Sequence, residues 1–499
     1  MIRRHGLGAL AALACAAMVA GCSAAVAHPA GTGVAVWTSS ADGARRLEPG
    51  PGIALALSSD APAGATVTID PRERHQSIVG FGAAMTDASA ELFETAMTRS
   101  ARDRLFAELF GRDRLGLSFL RVPIGASDFS STHYSLDDMP VGASDPGLAK
   151  FSMAGPMAAQ IPALRAARAI NPDLMLMASP WSAPGWMKDS DSLIQGRLRA
   201  DFYPAYAHYF SRYLAAMARA GVPVRWVSIQ NEPHFEPHDY PGLRFDPPAR
   251  ARFIGQFLGP VLAREAKGVG ILDWDHNWDQ PESPLAVLAD PQAARHIEGV
   301  AWHCYAGDVA AMEQVRVAHP DKQAFLTECS GGEWTPGWQG LGWMIDNLII
   351  APSRFGSRGT MLWNLALDTE HGPHKGGCGD CRAVVTIDRR SGAITRNLEY
   401  YVLGHVSRFV RRGARRIASS QAGSITNAAF RNPDGSLVLV AHNAGADPAR
   451  LRVREGARSF STVLAAGEVG TFLWKESRLW KESGLSKESS SSEELGRKP

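Results

Sequence analysis

Two glutamates stand where apolar runs give way to polar loops. Glu232 follows Asn231 in RWVSIQNEP, and Glu328 closes AFLTECS. Two carboxyl groups delivered from different strand ends into one cavity are what glycosidic bond cleavage requires. One donates a proton to the leaving oxygen, and the other attacks or stabilises the sugar carbon. An isolated Asn-Glu-Pro is ordinarily a surface turn; here it gains meaning from the buried run before it and from its partner. Glu236 and Glu333 lie close by and read as solvated loop carboxylates or remote subsite contacts.

A second cluster is His371-x-x-His374-x-x-x-Cys378-x-x-Cys381. Two histidines and two cysteines are a zinc-type donor set. In a glycine-rich loop of a chain that reads as exported, a local Cys378–Cys381 disulfide is the favoured reading, ahead of zinc and of free thiols. The carboxylate chemistry calls for no metal and no cofactor.

The elements that must carry these residues run from about 77 to 400. Eight apolar runs occur there: IVGFGAAMTD, LSFLRVPIG, LMLMASPWS, RWVSIQNEP, VGILDWDHN, EGVAWHCY, AFLTECS and TMLWNLAL. Amphipathic stretches such as YPAYAHYFSRYLAAMARAG separate them. Near-continuous apolar runs alternating with helices indicate parallel strands buried on both faces. Eight repeats indicate a (β/α)8 barrel, whose catalytic residues lie at the C-terminal strand ends. Asp87, Asp128, Trp181, Glu232, His276, Tyr305, Glu328 and Trp363 cluster at those ends, the two glutamates on the fourth and seventh runs.

Both flanks read as short strands. Residues 34–76 and 401–475 together are expected to form one β-sandwich beside the barrel, with a turn at Asn432-Pro433-Asp434-Gly435. The tail 476–499 is low-complexity and is expected to be disordered. At the other end, Arg3 and Arg4 precede an apolar run from Leu7 to Ala20, too short to span a membrane. Val19-Ala20-Gly21-Cys22 resembles a bacterial lipobox. Residues 1–21 then form a lipoprotein signal peptide, Cys22 is lipidated, and 22–33 are a tether. The alternative is cleavage after Ala25-Val26-Ala27, releasing a soluble protein. Of the 499 residues 45% are hydrophobic, ample for a large core. A net charge of +2 gives no electrostatic case for nucleic acid.

The ordered segments GFGAAMTDASA, LRVPIGASDFSSTHYS, SPWSAPGWMKDS, IQNEP, GVAWHCY, FLTECSGG, LWNLALDTEHGP and YYVLGHVSRFV resemble glycoside hydrolase family 30 over roughly residues 75–475. This is the family of glucosylceramidases and endo-β-1,6-glucanases. The resemblance implies a barrel fused to a β-sandwich and hydrolysis with retention. It implies Glu232 as acid/base, Glu328 as nucleophile, Arg121 and Tyr305 as orienting groups, and Asp128, Trp181, Asn231, His303 and Trp363 as sugar-binding residues. On that basis Glu328 is expected to be ionised beside Arg121, and Glu232 protonated by burial and by the charge of Glu328. Cys304 departs from the bulky aromatic of glucocerebrosidase-like sequences. Cys304 and Cys329 read as buried small hydrophobes, a disulfide between strands six and seven being the other arrangement. Trp343 is expected in the core, and Trp334 and Trp338 are candidates for stacking on sugars beyond the cleaved bond.

These readings point to an exported bacterial retaining β-glycosidase. Its substrate is expected to be β-1,6-glucan or short β-glucosides, with glucosylceramide as the alternative. Membrane contact is expected only through the lipid anchor. Two other classes compete: a non-catalytic glycan-binding lipoprotein, which should have lost a carboxylate or sugar anchor that is present here, and a zinc-dependent hydrolase built on residues 371–381.

Overall fold

The eight apolar runs supply eight strands: β1 (Gly80–Ala83), β2 (Phe119–Pro123), β3 (Met175–Ser179), β4 (Trp226–Ser228), β5 (Gly270–Asn277), β6 (Ile297–His303), β7 (Gln323–Glu328) and β8 (Ser357–Leu362). The computed structural model describes residues 33–58 and 64–476. The signal peptide, Cys22, the tether and the tail from 477 onward fall outside them. The strands pair in parallel and in chain order from β2 to β8. β8 returns to β1 with Gly359 opposite Gly80. The last seam, β1 to β2, is held by the Ala84–Arg121 bridge and by the Ser118 N–H donating to the Phe81 carbonyl at 3.0 Å. A Cβ on Gly82 would collide with the Phe119 carbonyl, so the GFG run lets these two backbones approach.

Inside the barrel, Val79, Phe119, Met177, Trp226, Leu272 and Phe325 form a separate apolar cluster at the floor. This plug leaves only the C-terminal mouth for polar side chains. Outside, helices close over the strands. Helix Tyr203–Arg219 buries Tyr206, Tyr209, Phe210, Tyr213 and Met217, a stripe at helical spacing that faces the barrel.

Both flanks contribute to one further 11-stranded sheet system. Gly33–Ser39 pairs with Val469–Lys475, and Ala65–Ser77 lies between Arg415–Ser419 and Ala449–Glu455. Val67, Ile69, Leu439, Phe472 and Trp474 fill its own core. Helix Leu398–Ser407 runs across the boundary expected at residue 400. Its buried His405 ties the two parts together, with Nδ1 and Nε2 each 2.9 Å from the hydroxyls of Thr471 and Ser39.

Trp343 corrects a sequence expectation. Leu341 and Met344 face inward on its short helix, which turns Trp343 outward to 50% exposure. The ring of half-buried Trp338 packs on Tyr401 and under Arg46.

Burial holds His405 down to about 3. The unfolded chain therefore takes up a proton near pH ~6.5 that the folded chain refuses. Stability from neutral His405 is complete above that pH and is lost as pH falls below it, at up to about 1.4 kcal/mol per pH unit. Urea unfolding measured between pH ~7 and ~5 should show this slope, and His405→Gln should flatten it. An unchanged slope in the variant would assign the acid sensitivity elsewhere.

Candidate active site

Arg121 on β2 is fully buried at the centre of the mouth. Its guanidinium donates to Glu328, to Asp275 at 2.6 Å and to Asn231 at 2.7 Å. Its flat face lies over Trp181, 4.8 Å from the ring centroid. Trp181 in turn stacks on Trp363, centroids 4.9 Å apart. Asp275 is the hub that sequence reasoning missed. Besides Arg121 it accepts hydrogen bonds from Ser228 at 2.6 Å, Ser179 at 2.7 Å and Thr327 at 2.7 Å, and its other neighbour is His303 Nε2 at 3.1 Å. The only signal available was a polar residue inside the strand run LDWDHN.

Glu232 sits just past β4 in a left-handed backbone conformation, φ 46°, with its N–H donating to the Asp275 carbonyl at 3.0 Å. That region is unfavourable for a side chain-bearing residue and persists where surrounding contacts impose it. The carboxylate is met by His303 Nδ1 at 3.0 Å and by His276 Nδ1 at 3.5 Å. Glu328 ends β7 and accepts from the Tyr305 hydroxyl at 2.9 Å. The same His303 nitrogen lies 3.9 Å from Glu328. Both carboxylates thus flank one imidazole edge.

The electrostatics differ from the expectation. Burial acts to raise Glu232, but hydrogen bonds from His276 and His303 outweigh it and hold the group below the usual carboxylate range. Burial raises Glu328, against the pull of His303 and Arg121. His303 is opposed by burial, yet the charge of Glu328 and the bonds to Asp275 and Glu232 lift it to about 9. Both Glu328 oxygens face donors, Arg121 and the Tyr305 hydroxyl. The imidazoles, named in the sequence but not as partners of Glu232, are the reason Glu232 departs from the expectation. Asp128 is pushed up to about 8 by burial and by the facing charges of Glu328 and Glu232.

Asp128, Glu232, Tyr305, Glu328 and Trp363 line a cleft of about 490 Å³. Arg121, Trp181, Asn231 and His303 stand behind that wall, buried. Cys378 and Cys381 are joined by a disulfide and also line the cleft. Their loop lies over Asp128, whose carbonyl accepts the Lys375 N–H at 2.8 Å. The zinc reading fails here, because the cysteines are bonded to each other while His371 and His374 bond the carbonyls of Cys381 and Gly376. Cys304 and Cys329 form a second disulfide between the ends of β6 and β7, so they are not free hydrophobes. Among the described residues, the one group with metal-ligand geometry is Glu232, His276 and His303, whose donor atoms already engage one another.

Comparison with known proteins places these features in a family. The model of the glycosyl hydrolase family 30 TIM-barrel domain matches residues 78–410, and that of the family 30 beta sandwich domain matches 413–472. The chain is 33% identical over 394 residues to "Endo-1,6-beta-D-glucanase neg1" of Aspergillus fumigatus, covering 74% of this chain and 78% of that protein. It is 30% identical over 445 residues to the "Lysosomal acid glucosylceramidase" of Mus musculus, covering 83% and 84%. Its fold superposes on "The endo-beta1,6-glucanase BT3312" with a TM-score of 0.82 at 29% identity, covering 89% of this chain and 99% of that one. With both domains matched and two carboxylates paired at the barrel mouth, the chain belongs to glycosyl hydrolase family 30 and is a glycoside hydrolase.

Proposed function

We propose that the enzyme hydrolyses β-1,6-glucan by double displacement. Glu328 attacks the anomeric carbon and forms a glycosyl-enzyme ester, while Glu232 passes a proton to the departing oxygen. A water then enters, Glu232 removes its proton, and the oxygen displaces Glu328 with net retention. Arg121 and Tyr305 hold Glu328 in line through one hydrogen bond to each of its oxygens. His303 supplies the proton that Glu232 delivers, its Nδ1 facing Oε1 of that carboxylate. As the sugar ring gains positive charge, ionised Glu328 and Asp275 stabilise it.

The observation that carries the substrate reading is the wall of the cleft beyond the glutamates. His238, Asp239, Tyr240 and Asn277 present polar groups, and half-exposed Phe235 offers a ring face. Hydroxyl-bearing sugars suit such a wall, with polar groups for their hydroxyls and ring faces for their C–H surfaces. The similarity to endo-1,6-β-D-glucanases of Aspergillus fumigatus and Trichoderma harzianum supports the same linkage. Glucosylceramide is the second reading, supported by the similarity to the mouse glucosylceramidase.

Incubation with β-1,6-glucan should release a ladder of oligosaccharides, resolved by chromatography over time. Glucose and ceramide from glucosylceramide, with the glucan untouched, would sink the glucan assignment. Glu328→Ala should abolish turnover, and azide should restore part of it as a glycosyl azide of inverted configuration, identified by NMR. An azide of retained configuration would remove Glu328 from the nucleophile role. Glu232→Ala should slow glucan hydrolysis by about 10²–10⁴-fold but slow aryl glucosides with good leaving groups much less. Equal losses on both would contradict the acid role.

A further inference from the structure

At the opposite end of the barrel the charge balance reverses. A cavity of about 630 Å³ lies where β7 and β8 begin and where strand Ala65–Ser77 meets Arg415–Ser419. Its wall carries Arg354, Arg358, Arg415 and Arg416. The other cations there are already neutralised: Arg316 pairs with both oxygens of Glu313, at 2.5 and 2.6 Å, and Lys322 lies 2.9 Å from Asp321. Among the described residues, none of the four remaining arginines has a carboxylate within ion-pair distance. Neutral acceptors hold three of them. Arg354 donates to the Ser419 hydroxyl and to the Ser419 and Asn427 carbonyls, each at 3.2 Å. Arg358 donates to the Ser77 carbonyl at 2.8 Å, and Arg415 to that of His75 at 3.1 Å. The buried Nε of Arg416 has no hydrogen-bond partner.

Crowding guanidiniums, three of them half-buried, without counter-charge is costly. The strain is visible in Arg416, held down to about 10 by burial and by its neighbour Arg354, with Glu73 offsetting only part. An incoming anion of more than one charge would answer both deficits, the missing counter-charge and the unpaired Nε. Guanidinium forks match phosphate and sulfate oxygens, and several converging on one cavity select for such groups over a single halide. The proposed substrate is neutral, and the catalytic residues are elsewhere. Gln323 lines the cavity and Glu328 ends the same strand, roughly 17 Å away at the usual rise per residue.

We propose that this cavity at the barrel floor binds a phosphate- or sulfate-bearing anion of at least two negative charges, gripped by Arg416 together with Arg354, Arg358 and Arg415. The ligand is either a soluble anion or a phosphate headgroup at a bilayer surface. It binds without competing for the cleft.

The test is calorimetric titration of the full-chain enzyme with pyrophosphate at constant ionic strength, paired with flotation on phosphatidylglycerol vesicles. One saturable site is expected, weakened about tenfold or more by Arg416→Ala, with the KM for glucan unchanged by bound pyrophosphate. Arg415→Ala gives a second reading if Arg416→Ala does not fold, since exposed Arg415 loses only a carbonyl contact. Flotation that pyrophosphate competes away identifies a headgroup ligand; saturable pyrophosphate binding without flotation identifies a soluble one. No saturable binding at millimolar pyrophosphate would overturn the proposal. So would binding indifferent to both substitutions.

Discussion

The catalytic mouth depends on one buried ion pair. Arg121 and Asp275 are both fully buried and lie 2.6 Å apart. Neither charge could stand alone there, because an unpaired ion in a low-dielectric interior costs several kcal/mol. Asp275 is saturated by three hydroxyls and an imidazole as well, so its position is over-determined. From this fixed point the rest follows. Arg121 sets Glu328, His303 sets Glu232, and the Asp275 carbonyl captures the N–H that keeps Glu232 in its left-handed turn. Glu232 and Glu328 are thus both placed through a third carboxylate, buried Asp275.

That arrangement explains a division of labour along the barrel axis. The floor is filled by Phe119, Trp226 and Phe325, which exclude water and stiffen the strands. Rigid strands then present charged groups at one end only. The tryptophans follow the same logic. Trp181 spends its ring faces on Arg121 and Trp363, so it fixes the guanidinium plane before it can serve a sugar.

Much of this was legible in the sequence. Strands buried on both faces write themselves as unbroken apolar runs, and Glu232 and Glu328 stood out because each ends such a run. Asp128, Tyr305 and Trp363 were visible for the same reason. Asp275 was not. It sits inside the fifth run beside Asp273 and His276, and nothing in the order of these polar residues marks it as the hub until three dimensions bring Arg121 to it. The protonation of Glu232 was also misjudged, since burial can be read from a pattern but two imidazoles converging from β5 and β6 cannot. Trp343 failed for a simpler cause: the buried stripe is Leu341, Met344, Ile345, Leu348 and Ile349, at helical spacing, and Trp343 falls off it.

The Cys304–Cys329 bond has a further consequence. It closes a covalent loop around helix Ala311–Ala318 and the segments beside it, between residues 25 apart in sequence. Tyr305 and Glu328 are each next to one of the bridged cysteines. Should the intervening helix fray, the neighbouring ends of β6 and β7 beside Tyr305 and Glu328 remain fastened to each other. Local opening of this quarter of the barrel is thereby uncoupled from separation of Glu328 from the Tyr305 hydroxyl it accepts from, which leaves the segment between the two cysteines free to vary without loosening that contact.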